Sequence, residues 1–130
     1  MKVQWVIIAK EYQKNSDGTI DIRKILDRIT VNKENNKTTF YIIAKVVLNT
    51  IEVGENKKIQ LQISQGKGDF SVLYDFASYS IPDLNTWGNK TPYIIILVEK
   101  QELPYSGDYT FALWVDDEYK NEATIGVSYS

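Results

Sequence analysis

Residues 58 to 64, KIQLQIS, alternate apolar and polar side chains without a break. A period of two belongs to a strand, whose successive side chains leave on opposite faces. Ile59, Leu61 and Ile63 then share a buried face, with Gln60, Gln62 and Ser64 outward, as in an antiparallel strand wet on one side. Similar runs recur along the chain, each followed by turn residues, at the roughly 8–12-residue spacing typical of all-β domains. Phe40, Ile42, Ala44, Val46 and Leu48 form one set, opposite Lys45 and Asn49; Phe70, Val72, Tyr74 and Phe76 form another. Val3 to Ala9, apart from Gln4, and Tyr93 to Val98 are apolar on consecutive positions, the pattern of strands covered on both faces.

The connections carry turn chemistry. Asp17-Gly18, NKENNK, TIEVGEN, QGKGD and the long SIPDLNTWGNKTP separate the runs, and Gly, Asn and Asp suit tight turns because they tolerate positive φ or bond nearby amides. One segment is ambiguous: Ile22, Ile25, Leu26 and Ile29 are spaced as on a helix face. It is short and runs into the β-prone Ile29-Thr30-Val31, so extended chain is the better reading. The expected fold is all-β: a two-sheet antiparallel β-sandwich with Greek-key, immunoglobulin-like connections and about seven to nine strands. Residues 1–130 are expected to form one domain, a length that buries enough core without a disulfide or metal staple.

The phase of the last two runs constrains their connection. Tyr109, Phe111, Leu113 and Val115 share one face; Tyr119, Ala123, Ile125, Val127 and Tyr129 recover it after Asp116-Asp117-Glu118. Matching the faces requires an odd number of intervening residues. A three-residue loop of Asp116, Asp117 and Glu118 meets this and pairs Val115 with Tyr119 and Phe111 with Ala123. The carboxylates therefore read as turn residues, not as a catalytic pair or metal site.

Absent residues exclude much chemistry. The chain has no His and no Cys, which removes Ser-His-Asp and Cys-His machinery, disulfides and thiolate-bound zinc. A net charge of −2 with both signs interspersed gives no basic footprint for nucleic acid. No apolar run has the length of a membrane span, and the N-terminus lacks a signal-peptide pattern, so a cytoplasmic location is expected. No catalytic residue, metal or cofactor is expected. SQGKGDF lacks the spacing of a phosphate-binding loop. Asp27-Arg28 reads as a solvated edge, a local ion pair or a cap on neighbouring amides.

Ser106-Gly107-Asp108-Tyr109-Thr110-Phe111 resembles the tyrosine corner of immunoglobulin-like sandwiches, with Phe111 where antibody domains place a disulfide Cys. Both ends also resemble a family of small, uncharacterised bacterial proteins, a domain of unknown function. The matching residues are Met1-Lys2-Val3, Ala9, Tyr12, Asp17-Gly18, Ile22 and Asp27-Arg28-Ile29, then Gly107, Tyr109, Phe111 and Val115-Asp116. The chain departs from that pattern with Arg23-Lys24 where a Gly is expected, and with Asp117 where a turn Gly is usual. The resemblance implies a cytoplasmic β-sandwich and brings no activity.

Two surfaces stand out. Thr110, Ala112 and Trp114 would lie beside Thr124, Gly126 and Ser128 on the outer face of the last hairpin, six uncharged positions around one Trp. Glu118, Lys120 and Glu122 would form a charged rim. Such a patch resembles a protein-contact or self-association surface; otherwise another segment covers it, for instance the N-terminal strand. The second surface is the loop aromatics Tyr79, Trp87, Tyr93 and Tyr105, with Asp83, Asn85 and Asn89 as polar partners. They read either as a plug for the open end of the sandwich or as a platform for carbohydrate or another small ligand.

Overall fold

A computed structural model describes residues 1–17, 19–47, 56–65, 70–80 and 93–130, without the side chains of Asn56 and residues 76–80. Its strands are β1 (Lys2–Lys14), β2 (Ile20–Ile25), β3 (Arg28–Val31), β4 (Lys37–Val47), β5 (Asn56–Gln65), β6 (Ser71–Ser80), β7 (Tyr93–Glu102), β8 (Gly107–Val115) and β9 (Glu118–Tyr129). They form a four-stranded sheet, β2-β1-β4-β7, and a five-stranded sheet, β3-β9-β8-β5-β6. All pairs are antiparallel except β3 with β9. The architecture is the immunoglobulin-like sandwich expected from the alternation.

The segment with helical spacing is extended. β2 ends at Ile25 and β3 starts at Arg28, in the other sheet. Between them the chain turns inward at Leu26, whose N–H donates to the Ile8 carbonyl at 2.8 Å. The near-helical spacing arises because the chain changes sheets there, which resets the side-chain phase. Lys24 lies at φ 54, in the left-handed region where Gly is at ease, and Asp117 lies at φ 65. Both departures from the resembled family therefore fall at positive-φ positions.

The core is drawn from the expected faces. Phe40, Ile42, Ala44 and Val46 meet Ile59, Leu61 and Ile63 and Tyr109, Phe111, Leu113 and Val115 in one buried cluster. Phe40 of β4 and Phe111 of β8 pack edge-to-face across the two sheets, ring centroids 5.5 Å apart. Beside them the fully buried Tyr109 makes the corner. Its hydroxyl donates to the Tyr105 carbonyl at 2.8 Å and accepts from the Tyr105 N–H at 2.9 Å. Burial raises the Tyr109 pKa, so the hydroxyl stays a donor.

The strands expected to be covered on both faces are covered fully on one. Along β7, Ile94, Ile96 and Val98 are buried, whereas Tyr93 and Ile95 are half-buried and Leu97 is exposed. Trp5 and Ile7 of β1 are likewise half-buried.

Truncating either core ring leaves a cavity between the sheets. Phe40→Ala or Phe111→Ala is expected to cost about 3–5 kcal/mol in urea unfolding. Tyr109→Phe, which leaves the Tyr105 amide and carbonyl without their partner, is expected to cost about 1–3 kcal/mol.

Candidate interaction face

The last hairpin differs from the expected connection in an instructive way. Its turn is two residues, Asp116 and Asp117, at φ 50 and φ 65, the positive-φ pair of a type I′ turn. Val115 pairs with Glu118 and Trp114 with Tyr119, not Val115 with Tyr119. A register shift after Leu113 then restores Phe111 opposite Ala123. The odd residue demanded by the phase sits in this β-bulge, not in the turn. As a result Tyr119 points outward, 45% exposed, and stacks edge-on against Trp114 at 5.9 Å.

The turn is tied to β5. Asp116 N–H donates to the Lys58 carbonyl and Asp116 Oδ1 accepts from Lys58 N–H, both at 2.9 Å. Lys57 Nζ lies 3.3 Å from Asp116 Oδ2, and Lys58 Nζ lies 3.0 Å from Asp117 Oδ1. The Lys58 amide, with the Lys57 ammonium, holds the Asp116 carboxyl below its ordinary pKa; its bond to Asp117 raises that of Lys58. The carboxylates serve the turn, and among the described residues no group of acidic side chains is arranged to hold a metal ion.

The outer face of the hairpin assembles the expected residues. Thr110 and Thr124 are paired, with hydroxyls 3.4 Å apart, and Ser128 meets Thr30 of β3 at 3.4 Å. Ala112, however, stands opposite Glu122, whose carboxylate accepts from the Tyr119 hydroxyl at 2.7 Å and raises the Tyr119 pKa. Asp108 pairs with Gly126 at the far end, its carboxylate oxygen 3.5 Å from where a Gly126 Cβ would sit. The uncharged patch is therefore bounded by Asp108 as well as by Glu122. The N-terminal strand does not cover it: β1 belongs to the other sheet.

The patch continues onto β5 and β6, which sequence reasoning did not connect to it. Gln60 pairs with Trp114 and Gln62 with Ala112, while Asp75 and Leu73 follow on β6. Gln60 Nε2 donates to Asp75 Oδ1 at 2.6 Å and Gln62 Nε2 to Ser71 Oγ at 3.3 Å. Trp114, Gln60, Gln62, Leu73 and Asp117 line a shallow depression of about 280 Å³. Trp114 Nε1 is buried with no hydrogen-bond partner, alone in this among the described side chains.

The loop aromatics are not gathered among the described residues. Tyr93 opens β7 and packs against Trp5 at 6.0 Å. Tyr105 follows the other end of β7, 49% exposed. Trp87, Asp83, Asn85 and Asn89 lie outside the described residues, as does the Tyr79 side chain. Asp27 and Arg28 are exposed where the chain passes between sheets. Residues 66–69 of QGKGD lie outside the described residues; the strands on either side, β5 and β6, are antiparallel, and Gln65 N–H donates to the Phe70 carbonyl.

No protein-family model and no curated protein matches the chain. Among solved structures it is similar to a Pseudomonas fluorescens alkylpurine DNA glycosylase, AlkC, bound to DNA containing an abasic-site analogue. The TM-score is 0.51 at 10% identity, covering 78% of this chain and 27% of that one. An immunoglobulin-like protein from Pseudomonas aeruginosa matches at TM-score 0.49 and 12% identity, over 95% of this chain and 96% of that one. The first immunoglobulin domain of mouse SynCAM 2 matches at TM-score 0.34 and 18% identity, over 80% and 92%. At 10% identity the likeness to the glycosylase shows a shared fold alone, and this chain spans about a quarter of that protein. No helix among the described residues is long and apolar enough to cross a membrane.

A carboxylate whose pKa is lower folded than unfolded stabilises above the unfolded value of about 3.9. That contribution is lost as pH falls through the folded value. Asp116→Asn keeps an acceptor for Lys58 N–H and no longer titrates. Urea unfolding at pH 7 and pH 3.5 is expected to show a gap narrowed by ~0.5 kcal/mol after solvent screening.

Proposed function

We propose that this chain is a non-enzymatic protein-binding module that engages its partner through the outer face of β9-β8-β5-β6, centred on Trp114. The observation that carries this reading is the unpartnered Trp114 Nε1 beside an open depression. A buried N–H without an acceptor costs about 1–3 kcal/mol, and the fold tolerates that cost on its surface instead of in its core. A partner that reshapes the depression and brings a carbonyl or carboxylate recovers it. The surroundings fit a contact surface: an aromatic centre, amide side chains, an exposed Leu73 and a rim of Asp108, Glu122 and Asp117. Trp is a frequent hot spot because one flat side chain buries much area while keeping a polar handle.

A saccharide in the same depression is the second reading. An indole flanked by Gln60, Gln62 and Asp117 offers a stacking surface with planar hydrogen-bonding groups, as sugars require. Loop aromatics give this reading less support, since Tyr93 and Tyr105 stand at opposite ends of a ten-residue strand.

The test is recovery of partners with the tagged protein from its own cells, repeated with Trp114→Ala and Leu97→Lys. Partners lost with Trp114→Ala, by 30-fold or more as for a hot spot worth about 2 kcal/mol, and retained with Leu97→Lys support the protein-binding reading. Retention by Trp114→Ala at wild-type levels overturns it. A glycan screen that responds to wild type and not to Trp114→Ala selects the saccharide instead.

A further inference from the structure

The outer face of the other sheet carries a different surface. Its rows follow from the ladders: Trp5, Lys45 and Tyr93; Ile7, Ile43 and Ile95; Ala9, Tyr41 and Leu97. None of these residues belongs to the core cluster, although Ile43 and Ala9 are fully buried. Their cover is visible on the same face. β1 and β7 flank β4 and so lie about 9–10 Å apart, yet the Trp5 and Tyr93 rings approach to 6.0 Å. They lean toward one another over β4. Tyr12 and Tyr41 close edge-to-face at 4.9 Å further along. Around this layer Ile25 is 60%, Val47 47% and Leu97 44% exposed.

We infer that this face pairs with the same face of a second copy of the chain. Size and charge both select that occupant. The sheet covers roughly 600 Å² in projection, at about 4.8 Å per strand and 3.3 Å per residue. That approaches the ~800 Å² each partner buries in a standard interface. On this face Ile25, Val47 and Leu97 stand in water, and a second apolar face laid over them would bury them favourably.

The charges are arranged for self-pairing. Lys45 stands at one end of the apolar rows, with Lys2 at the same end. Glu99 stands two residues beyond Leu97 at the other end, roughly 20 Å from the Tyr93 row; Glu11, at that end too, is already paired with Lys24 at 3.0 Å. A two-fold axis lying in the interface and running across the strands exchanges the two ends. It sets the Ile7-Ile43-Ile95 row of one copy over the Ala9-Tyr41-Leu97 row of the other. Lys45 on β4 then lies one strand, about 4.8 Å, to the side of Glu99 on β7 of the other copy, close enough for its long side chain to reach diagonally, twice by symmetry, as an isologous interface requires. Stacked about 10 Å apart with strands nearly aligned, the two sheets repeat across the interface the packing that forms the sandwich itself.

Sedimentation equilibrium of the full chain at about 100 μM, compared with five variants, tests the pairing. Wild type is expected to be a dimer. Leu97→Lys, Lys45→Glu and Glu99→Lys are each expected to weaken it at least tenfold, with unchanged circular dichroism. The combined change Lys45→Glu with Glu99→Lys is expected to restore it. Trp114→Arg is expected to leave the dimer intact, which separates this inference from the proposed partner site. A wild-type monomer at 100 μM overturns the pairing. So does a dimer that survives all three single changes, or one that the combined charge exchange fails to restore.

Discussion

Phe40 and Phe111 meet edge-to-face between the sheets, 5.5 Å apart, in a chain that has no Cys to bridge them. In antibody domains a disulfide joins the corresponding strands and packs on a Trp. Here two rings supply area and directional contact at that place, worth more than their burial alone by about 0.5–1.5 kcal/mol. The contact also sets the phase of everything outside it. With Phe40 inward, Tyr41, Ile43 and Lys45 must face out; with Phe111 inward, Thr110, Ala112 and Trp114 must face out. Both outer surfaces follow from a single aromatic pair and the period of two.

Phase is then adjusted where the backbone leaves the regular ladder. Asp116 and Asp117 take the left-handed conformation, which costs an ordinary side chain about 1 kcal/mol or more and Asp somewhat less. Bonds to the amide, carbonyl and ammonium groups of Lys57 and Lys58 offset that cost. The two-residue turn with the register shift after Leu113 has the larger consequence. The turn makes Tyr119, an expected core residue, an outward neighbour of Trp114, and the shift returns the rest of β9 to the core phase. With a three-residue turn and no bulge, Lys120 and not Tyr119 would stand opposite Trp114, and the Trp ring would lose that aromatic flank. Lys24 does similar work at the end of β2, where the chain leaves one sheet for the other.

Much of this was legible in the residues. KIQLQIS, the Phe40 set and the Tyr109 set occupy the faces their alternation indicates, because a strand's side-chain period admits no compromise. The corner was legible from Gly107, Tyr109 and Phe111, since a buried Tyr needs a partner for its hydroxyl. The bulge was not. Parity demands one extra residue and is indifferent to whether the turn or the strand holds it. Gln60, Gln62 and Leu73 could not be joined to Trp114 either, because strand order is set by long-range packing that no local pattern records. Asp108 alternates with Thr110 and Trp114, and its place on the same face was available from counting alone.

The consecutive apolar runs carry the most general lesson. Val3 to Ala9 and Tyr93 to Val98 indicate strands in need of cover on both faces, and a two-sheet sandwich supplies cover on only one. Ile43 and Ala9 are shielded by neighbouring rings, while Ile25, Val47 and Leu97 remain in water. The five-stranded sheet answers the same geometry differently, with Gln, Ser and Thr facing out around a single Trp. Burying side chains of the first kind is favourable with any apolar surface of matching shape, at roughly 25 cal/mol per Å². The second kind recovers energy only from a partner that meets its hydrogen bonds. A surface that rewards shape and one that rewards donors and acceptors discriminate partners by different physics. The placement of these two on opposite sides of one core leaves each free to be occupied without competition from the other.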